Sequence, residues 1–367
     1  MKYRLFPNTD VRVSEIGFGT WTVSTGWWGE KTDAEAVAMM RSALDAHGVT
    51  FFDAADAYGN GRAERQIAEA FRGRRDEIVI GTKIGYDIYD ETALKNRRGQ
   101  QELPMRTDPP FMRLAVERCL QRLETDCIDV LQLHNAKMEH VRDPELWGTL
   151  RDLQREGKIK TWGAAFGPAI GWLYEAVELV ELEPDIHTIQ MIWNVLEQHP
   201  GSAMIEAARR HAPNCCFNVR VTHASGMLEG KYTADTVFPE TDHRKHRPRS
   251  WLVNGVEKVK TLDFLTRGMT LGQASLQWLL AEPLVVTALP NVYDDEQLAE
   301  FADASDLPGL TPEQMARVLE LDAMNFGIEE DAMKYKGAMT RGEGANVDLQ
   351  DARNPISRPA GSAHTIV

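Results

Sequence analysis

The 367-residue chain carries 41 basic and 55 acidic side chains, a formal charge of −14 that argues against general attraction to nucleic acid or anionic lipid. Apolar residues make up 43% and charged residues 26%, which excludes a disordered chain and leaves ample material for a core. The start, MKYRLFPNTDVRVSEIGFGTW, has no apolar run of signal-peptide length, and no window approaches the ~18 consecutive apolar residues of a spanning helix, so no membrane partner and a cytoplasmic location are expected.

Short apolar runs alternate with amphipathic stretches about eight times, the pattern of parallel strands joined by helices. A first short strand leads to GFGTW at 17 to 21. Thr32 and Glu35 then fit a capping box, with Val37, Met40 and Leu44 on one helix face and Gly48 as its end. Strand VTFFD is expected at 49 to 53, a helix around Ile67 and Phe71, and strand EIVIGTK at 77 to 83. A long polar segment from Ile84 to Thr107 interrupts the rhythm. Asp108 and Pro109 open the next helix, and strand IDVLQLH follows at 128 to 134. After a helix near 144 to 156 come strands at 158 to 165, 186 to 192 and 216 to 221. Thr270 with Gln273 caps a helix before strand LVVTALP at 284 to 290, and Thr311, Pro312 and Gln314 begin one further helix.

This order predicts an α/β fold, a (β/α)8 TIM barrel, which uses about 250 residues as one unit. Barrel is expected over 1–325 with long loops after strands three and seven, and a C-terminal extension, tail or cover, over 326–367. An open doubly wound sheet fits less well, because the turn from Gly17 to Thr22 holds only the first two glycines of G-x-G-x-x-G. Cys119, Cys127, Cys215 and Cys216 lack metal-ligand spacing, so neither a metal site nor a structural disulfide is expected.

Reactive groups of such a barrel lie at the C-terminal ends of its strands. Asp53 ends strand two, Tyr58 follows it in FFDAADAYGNG, Lys83 ends strand three and His134 ends strand four. An ammonium beside a phenol eases release of its proton, a carboxylate keeps the lysine charged and oriented, and an imidazole can hydrogen-bond a carbonyl oxygen. Singly, such residues are more often structural, Asp53 and Lys83 as an internal ion pair fixing the barrel rim and Tyr58 as a packed ring with a satisfied hydroxyl. Their conjunction at consecutive strand ends points to a proton-transfer site.

The chain resembles the aldo-keto reductase superfamily over about residues 1 to 325, through GFGTW, FFDAADAYGNG, IGTK at 80 to 83, DCIDVLQLH at 126 to 134, GKIKTWG at 157 to 163, GMLEGKY at 226 to 232 and the segment 288 to 298. The resemblance implies a (β/α)8 barrel with a short hairpin over residues 1 to 12 closing its bottom. It further implies an NADPH-dependent oxidoreductase that reduces an aldehyde or ketone without metal, with the tetrad Asp53, Tyr58, Lys83 and His134 and with Tyr58 as proton donor. Gln190 would hold the nicotinamide carboxamide, Lys231 the phosphates, Gln297 and Glu300 the adenosine, and Thr20 and Trp21 would form the cofactor-side turn after strand one, with Asp53 also on the cofactor. Ala165 and Phe166 depart from the family's polar pair, and Phe301 from its usual Asn. Arg220 stands where an aromatic ring usually stacks on nicotinamide; stacked there its charge would disfavour the cationic oxidised ring, and the other reading is an arginine displaced toward a carboxylate.

Asn291 and Tyr293 leave the end of strand eight little positive charge, so a preference for NADPH rests on the basic run HRKHRPR at 243 to 249, with Arg244, Lys245 and Arg247 as 2′-phosphate ligands. A solvated loop is the plainer reading of such a run. Trp27 and Trp28 after strand one, and Tyr86 and Tyr89 after strand three, are candidates for the wall of a pocket taking a small-molecule carbonyl substrate. Two other functions fit the same barrel. One is a nucleotide-sensing binding protein, since the potassium-channel β subunits also resemble it; the other is an enzyme that keeps its nicotinamide for internal redox, in epimerisation or elimination.

Overall fold

Two short strands, β1 (Tyr3–Leu5) and β2 (Arg12–Ser14), pair antiparallel, and eight parallel strands follow them. These are β3 (Phe18–Gly19), β4 (Phe51–Asp53), β5 (Val79–Ile84), β6 (Ile128–His134), β7 (Ile159–Ala165), β8 (Thr188–Ile192), β9 (Cys216–Arg220) and β10 (Val285–Leu289), each bonded to the next. Ile16 bridges Ala288 in parallel, with Gly17 N donating to Ala288 O at 2.9 Å and Ala288 N to Glu15 O at 2.8 Å, and this contact brings the last strand back to the first. The structure, a computed structural model, describes residues 1–96, 102–167, 169–330 and 337.

Local chemistry sets the helix starts. Thr32, Thr270 and Thr311 each form a reciprocal capping box, with Glu35, Gln273 and Gln314, ahead of helices Asp33–Asp45, Leu271–Leu280 and Pro312–Ala323. Asp108 accepts from Phe111 N and opens Pro109–Leu123, where proline sits at a position whose N–H would have no intrahelical partner. The buried faces of these helices pack on the outside of the strands and form the main core.

Inside the barrel, Phe6, Val11 and Val13 of the hairpin meet Phe51, Val130, Cys216, Val286 and Leu289 in a separate apolar plug at the N-terminal end. Phe51 needs two glycines opposite it. A Cβ at Gly81 would lie 2.8 Å from its ring, and one at Gly17 would lie 3.0 Å from it and 2.8 Å from Leu289. Above the plug the interior turns polar, with Gln132, Thr188, Gln190, Asn218 and Thr287 all buried.

Most expected strands lose one or two residues at an end to turns; the run EIVIGTK begins in a 3-10 turn, Arg75–Glu77. The long polar segment after β5 contains a short helix, Glu91–Asn96, and an antiparallel bridge between Tyr86 and Met105. The connection after β9 is not loop throughout. His243–His246 is a 3-10 turn, and helix Arg249–Lys260 begins after Pro248. All four cysteines are free thiols. Of the expected extension over 326–367, all but 326–330 and Gly337 lies outside the described residues.

Candidate active site

The C-terminal ends of β4, β5, β6 and β8 bring one set of polar side chains together. Lys83 Nζ donates to Asp53 Oδ2 and to Ala54 O, both at 2.7 Å, and Gln190 Nε2 donates to Asp53 Oδ1 at 2.9 Å. The pair is buried, with side-chain exposures of 1% for Lys83 and 7% for Asp53, so the Gln190 amide and the Ala54 carbonyl supply the extra bonds that a desolvated ion pair needs. Thr20 braces the same turn, its N and Oγ1 both donating to Asp53 O at 2.9 Å.

Lys83 Nζ lies 5.0 Å from the centroid of the Tyr58 ring. The Tyr58 and His134 rings meet edge to face with centroids 5.7 Å apart, and Tyr86 also meets the His134 ring edge to face at 5.1 Å. Burial, with the positive charges of Lys83 and Arg220 adding to it, holds the His134 imidazole well below the usual histidine range, so it is neutral at physiological pH. Its Nδ1 is buried without a hydrogen-bond partner.

Behind Tyr58 lies a cluster that sequence reasoning missed. Glu64, fully buried, accepts from Arg122 Nε at 2.5 Å and from Thr82 Oγ1 at 2.7 Å. Asp56 is buried beside it with neither carboxylate oxygen partnered, and burial followed by the Glu64 charge pushes its carboxyl well above the usual range. Two acids, Asp56 and Glu64, over a single arginine in one helix-facing space leave the second carboxyl neutral. The i, i+8 spacing of these two acids across a turn and a helix start was the one available signal.

Of the expected pocket aromatics, Tyr86 reaches His134 but Tyr89 does not. Its hydroxyl instead accepts from Arg122 at 3.2 Å and its ring packs on Phe111. Trp28 is buried against Trp21 and His243, with the Arg244 guanidinium 4.0 Å over its ring, and His243 N donates to Trp27 O at 3.1 Å. The loops after β3 and β9 thus lock together across the rim.

The basic run is not a set of free cations. Arg244 forms a forked pair with Asp242 and also donates to Tyr232 Oη at 2.5 Å; Lys245 pairs with Glu240; Arg247 donates to Ser225 Oγ at 2.8 Å. Lys231 is exposed, Gln297 donates to Glu229 at 2.9 Å, and Glu300 accepts from Thr270 at 2.6 Å. Phe301 is fully buried under His223, with ring centroids 4.3 Å apart. Arg220 Nη2 donates to Phe166 O at 2.8 Å, toward a carbonyl rather than a carboxylate, and Ala165 is buried in β7.

Several buried polar atoms in and near this mouth have no partner among the described residues: Gln190 Oε1, both ends of the Asn218 amide, and Arg220 Nε. Acceptors and donors of this kind suit a ligand carrying a carboxamide. Among the described residues no group of three or more His, Cys, Asp or Glu is placed to hold a metal ion, and no helix is long and apolar enough to cross a membrane.

The aldo/keto reductase family model matches residues 15–323. The chain belongs to the aldo/keto reductase family. Its oxidoreductase relatives include an aldo-keto reductase of Schizosaccharomyces pombe named for NADP(+), 28% identical over 305 residues that span 78% of this chain and 82% of that protein. An NADH-specific methylglyoxal reductase of Escherichia coli is 26% identical over 332 residues, spanning 85% and 97%. Among solved structures, the glycerol dehydrogenase of Gluconobacter oxydans superposes with a TM-score of 0.71 at 23% identity, covering 90% of this chain and 98% of that one, a likeness of fold. This aldo/keto reductase therefore shares its barrel with relatives that differ in nucleotide.

Proposed function

We propose that this aldo/keto reductase reduces an aldehyde or ketone to an alcohol, with Tyr58 as proton donor. The observation that carries the reading is the convergence of Tyr58, Lys83 and His134 around one space above the Asp53 carboxylate. A nicotinamide cofactor, when bound, supplies the hydride. Gln190 Oε1, Asn218 and the Arg220 guanidinium are the groups that would hold its carboxamide ring, and Arg220 biases the site toward reduction because its charge disfavours a cationic ring.

His134 Nδ1 has no acceptor beside it, so the proton of the neutral ring belongs on Nε2, where it can bond the substrate oxygen. Tyr58 gives its hydroxyl proton to that oxygen as it becomes an alkoxide. Lys83 stabilises the charge left on the phenol, and Asp53 and Gln190 hold Lys83 in place.

NADPH is the nucleotide this reading prefers, although the relatives divide between the two forms. Arg247 is the principal 2′-phosphate ligand, since its partner in the structure is a neutral hydroxyl, whereas Arg244 and Lys245 are already paired with carboxylates. Incubation of the purified protein with NADPH and a panel of aldehydes and ketones, followed by the loss of nicotinamide absorbance, tests the reading. Absence of turnover across the panel, with the nucleotide bound, would favour the nucleotide-sensing alternative.

A further inference from the structure

Beside His134 the rim carries a hydrogen-bonded chain that proton transfer does not use. Asn135 Nδ2 donates to Tyr86 Oη at 2.7 Å, and Tyr86 Oη donates to Glu102 Oε1 at 2.6 Å. Asn135 Nδ2 also reaches that carboxylate oxygen at 3.4 Å. Tyr86 and Asn135 are buried while Glu102 is exposed, so the chain runs from the flank of His134 to solvent. Backbone bonds fix it there: Asp87 N donates to Pro104 O and Arg106 N to Gly85 O, each at 2.8 Å, which folds Glu102 back over Tyr86.

A wall of this composition is poorly matched to an alkyl group. Covering the carboxylate, phenol and amide with methylenes would strip their water and return no hydrogen bond, whereas a C–OH group donates to the carboxylate and accepts the Asn135 N–H that otherwise reaches Glu102 only at 3.4 Å. The charge of Glu102 likewise repels a substrate carboxylate or phosphate. Burial, followed by the bond to Glu102, pushes the Tyr86 phenol above its ordinary range, so it remains a neutral hydroxyl and does not compete with Tyr58 as acid.

We propose that Asn135, Tyr86 and Glu102 form a hydroxyl-recognition wall, and that the substrate is a neutral hydroxylated carbonyl compound, a hydroxyketone or aldose. The inference rests on the carbonyl-reductase reading above, in which His134 holds the carbonyl oxygen and so brings hydroxyls on the adjacent carbons against this wall.

Dihydroxyacetone and diethyl ketone have the same number of heavy atoms and differ by hydroxyl against methyl, so the change in their kcat/KM ratio on mutation removes any intrinsic difference in reactivity. Tyr86→Phe and the exposed-site variant Glu102→Gln are expected to lower kcat/KM for dihydroxyacetone about tenfold more than for diethyl ketone, mainly through KM. An equal loss for both ketones overturns the wall. Calorimetric titration with glycerol, the alcohol formed from dihydroxyacetone, gives a reading that needs no turnover: binding to the wild type, weakened about tenfold in both variants, supports the proposal. No glycerol binding, or equal binding in the variants, overturns it. Failure of every carbonyl compound to turn over while glycerol still discriminates among the variants would refute the reductase reading and leave the wall standing.

Discussion

Gln190 donates to Asp53 Oδ1 while Lys83 occupies Oδ2, so both oxygens of one buried carboxylate are engaged from strands on different sides of the mouth. The ion pair is therefore a joint of the barrel as well as a part of the site. Lys83→Met should cost about 3–5 kcal/mol of stability, because it leaves Asp53 buried without its counter-charge. Asp53→Asn combined with Lys83→Met should recover most of that loss without recovering turnover. Denaturant midpoints and carbonyl turnover measured on both variants check this, and a double variant no more stable than the single one contradicts it.

Tyr58→Phe keeps the ring on His134 and removes only the hydroxyl. Carbonyl reduction should fall by about 10²–10⁴-fold, the usual contribution of a positioned general acid, while NADPH affinity stays within about twofold. Turnover assayed beside a nucleotide fluorescence titration separates the two effects. Near-wild-type turnover would require another proton donor.

Acid should weaken the fold well above the carboxylate range. Burial holds His134, His140, His187, His223 and His243 below the ordinary histidine value of 6.5, His223 and His243 to about 4. The unfolded chain takes up protons near 6.5 that the folded chain refuses, so this stability is fully present above about pH 6.5 and is lost as pH falls toward about 4. Asp56 and Glu229, raised by burial, act in the opposite sense but are fewer. Thermal midpoints should therefore decline from pH 7 to pH 5, and His223→Phe should flatten that decline. A flat profile for the wild type would mean that these histidines protonate in place.

Replacing Arg244, Lys245 and Arg247 with alanine should weaken NADPH binding more than NADH binding, with Arg247→Ala alone giving most of the effect. Arg244→Ala should instead lower stability, since it removes the cation over Trp28 and leaves Asp242 without its forked partner. Dissociation constants for both nucleotides, measured across these variants, decide the matter. Equal wild-type affinities would already defeat the preference, and equal losses would make the loop a cover rather than a phosphate clamp.

What the sequence made legible was local. Thr32 with Glu35, Thr270 with Gln273 and Asp108 before Pro109 announce helix starts, because a cap and its partner lie within three residues of each other. The strand ends carrying Asp53, Lys83 and His134 follow from alternation of strand and helix. Side-chain partners across loops were not legible. Tyr86 and Tyr89 lie three residues apart in one polar segment, yet one faces His134 and the other Arg122, and nothing local distinguishes them. Likewise Asp242, two residues before Arg244, holds the charge that the basic run seemed to offer a phosphate. Helix Arg249–Lys260 was hidden by the proline and cations at its start.

Among the described residues, the hairpin plug closes the N-terminal end of the barrel. Phe6, Val11 and Val13 stopper the end opposite the tetrad, in contact with Phe51 and Val130, while the polar interior begins above them. In the proposed reaction, the proton that replaces the one given up by Tyr58 would arrive from the end opposite this plug, the end that admits substrate and releases alcohol. If the loops joined at Trp28 and Arg244 govern rehydration of that end, solvent viscosity or deuteration should register in the turnover of the proposed reaction even where the chemical step is fast.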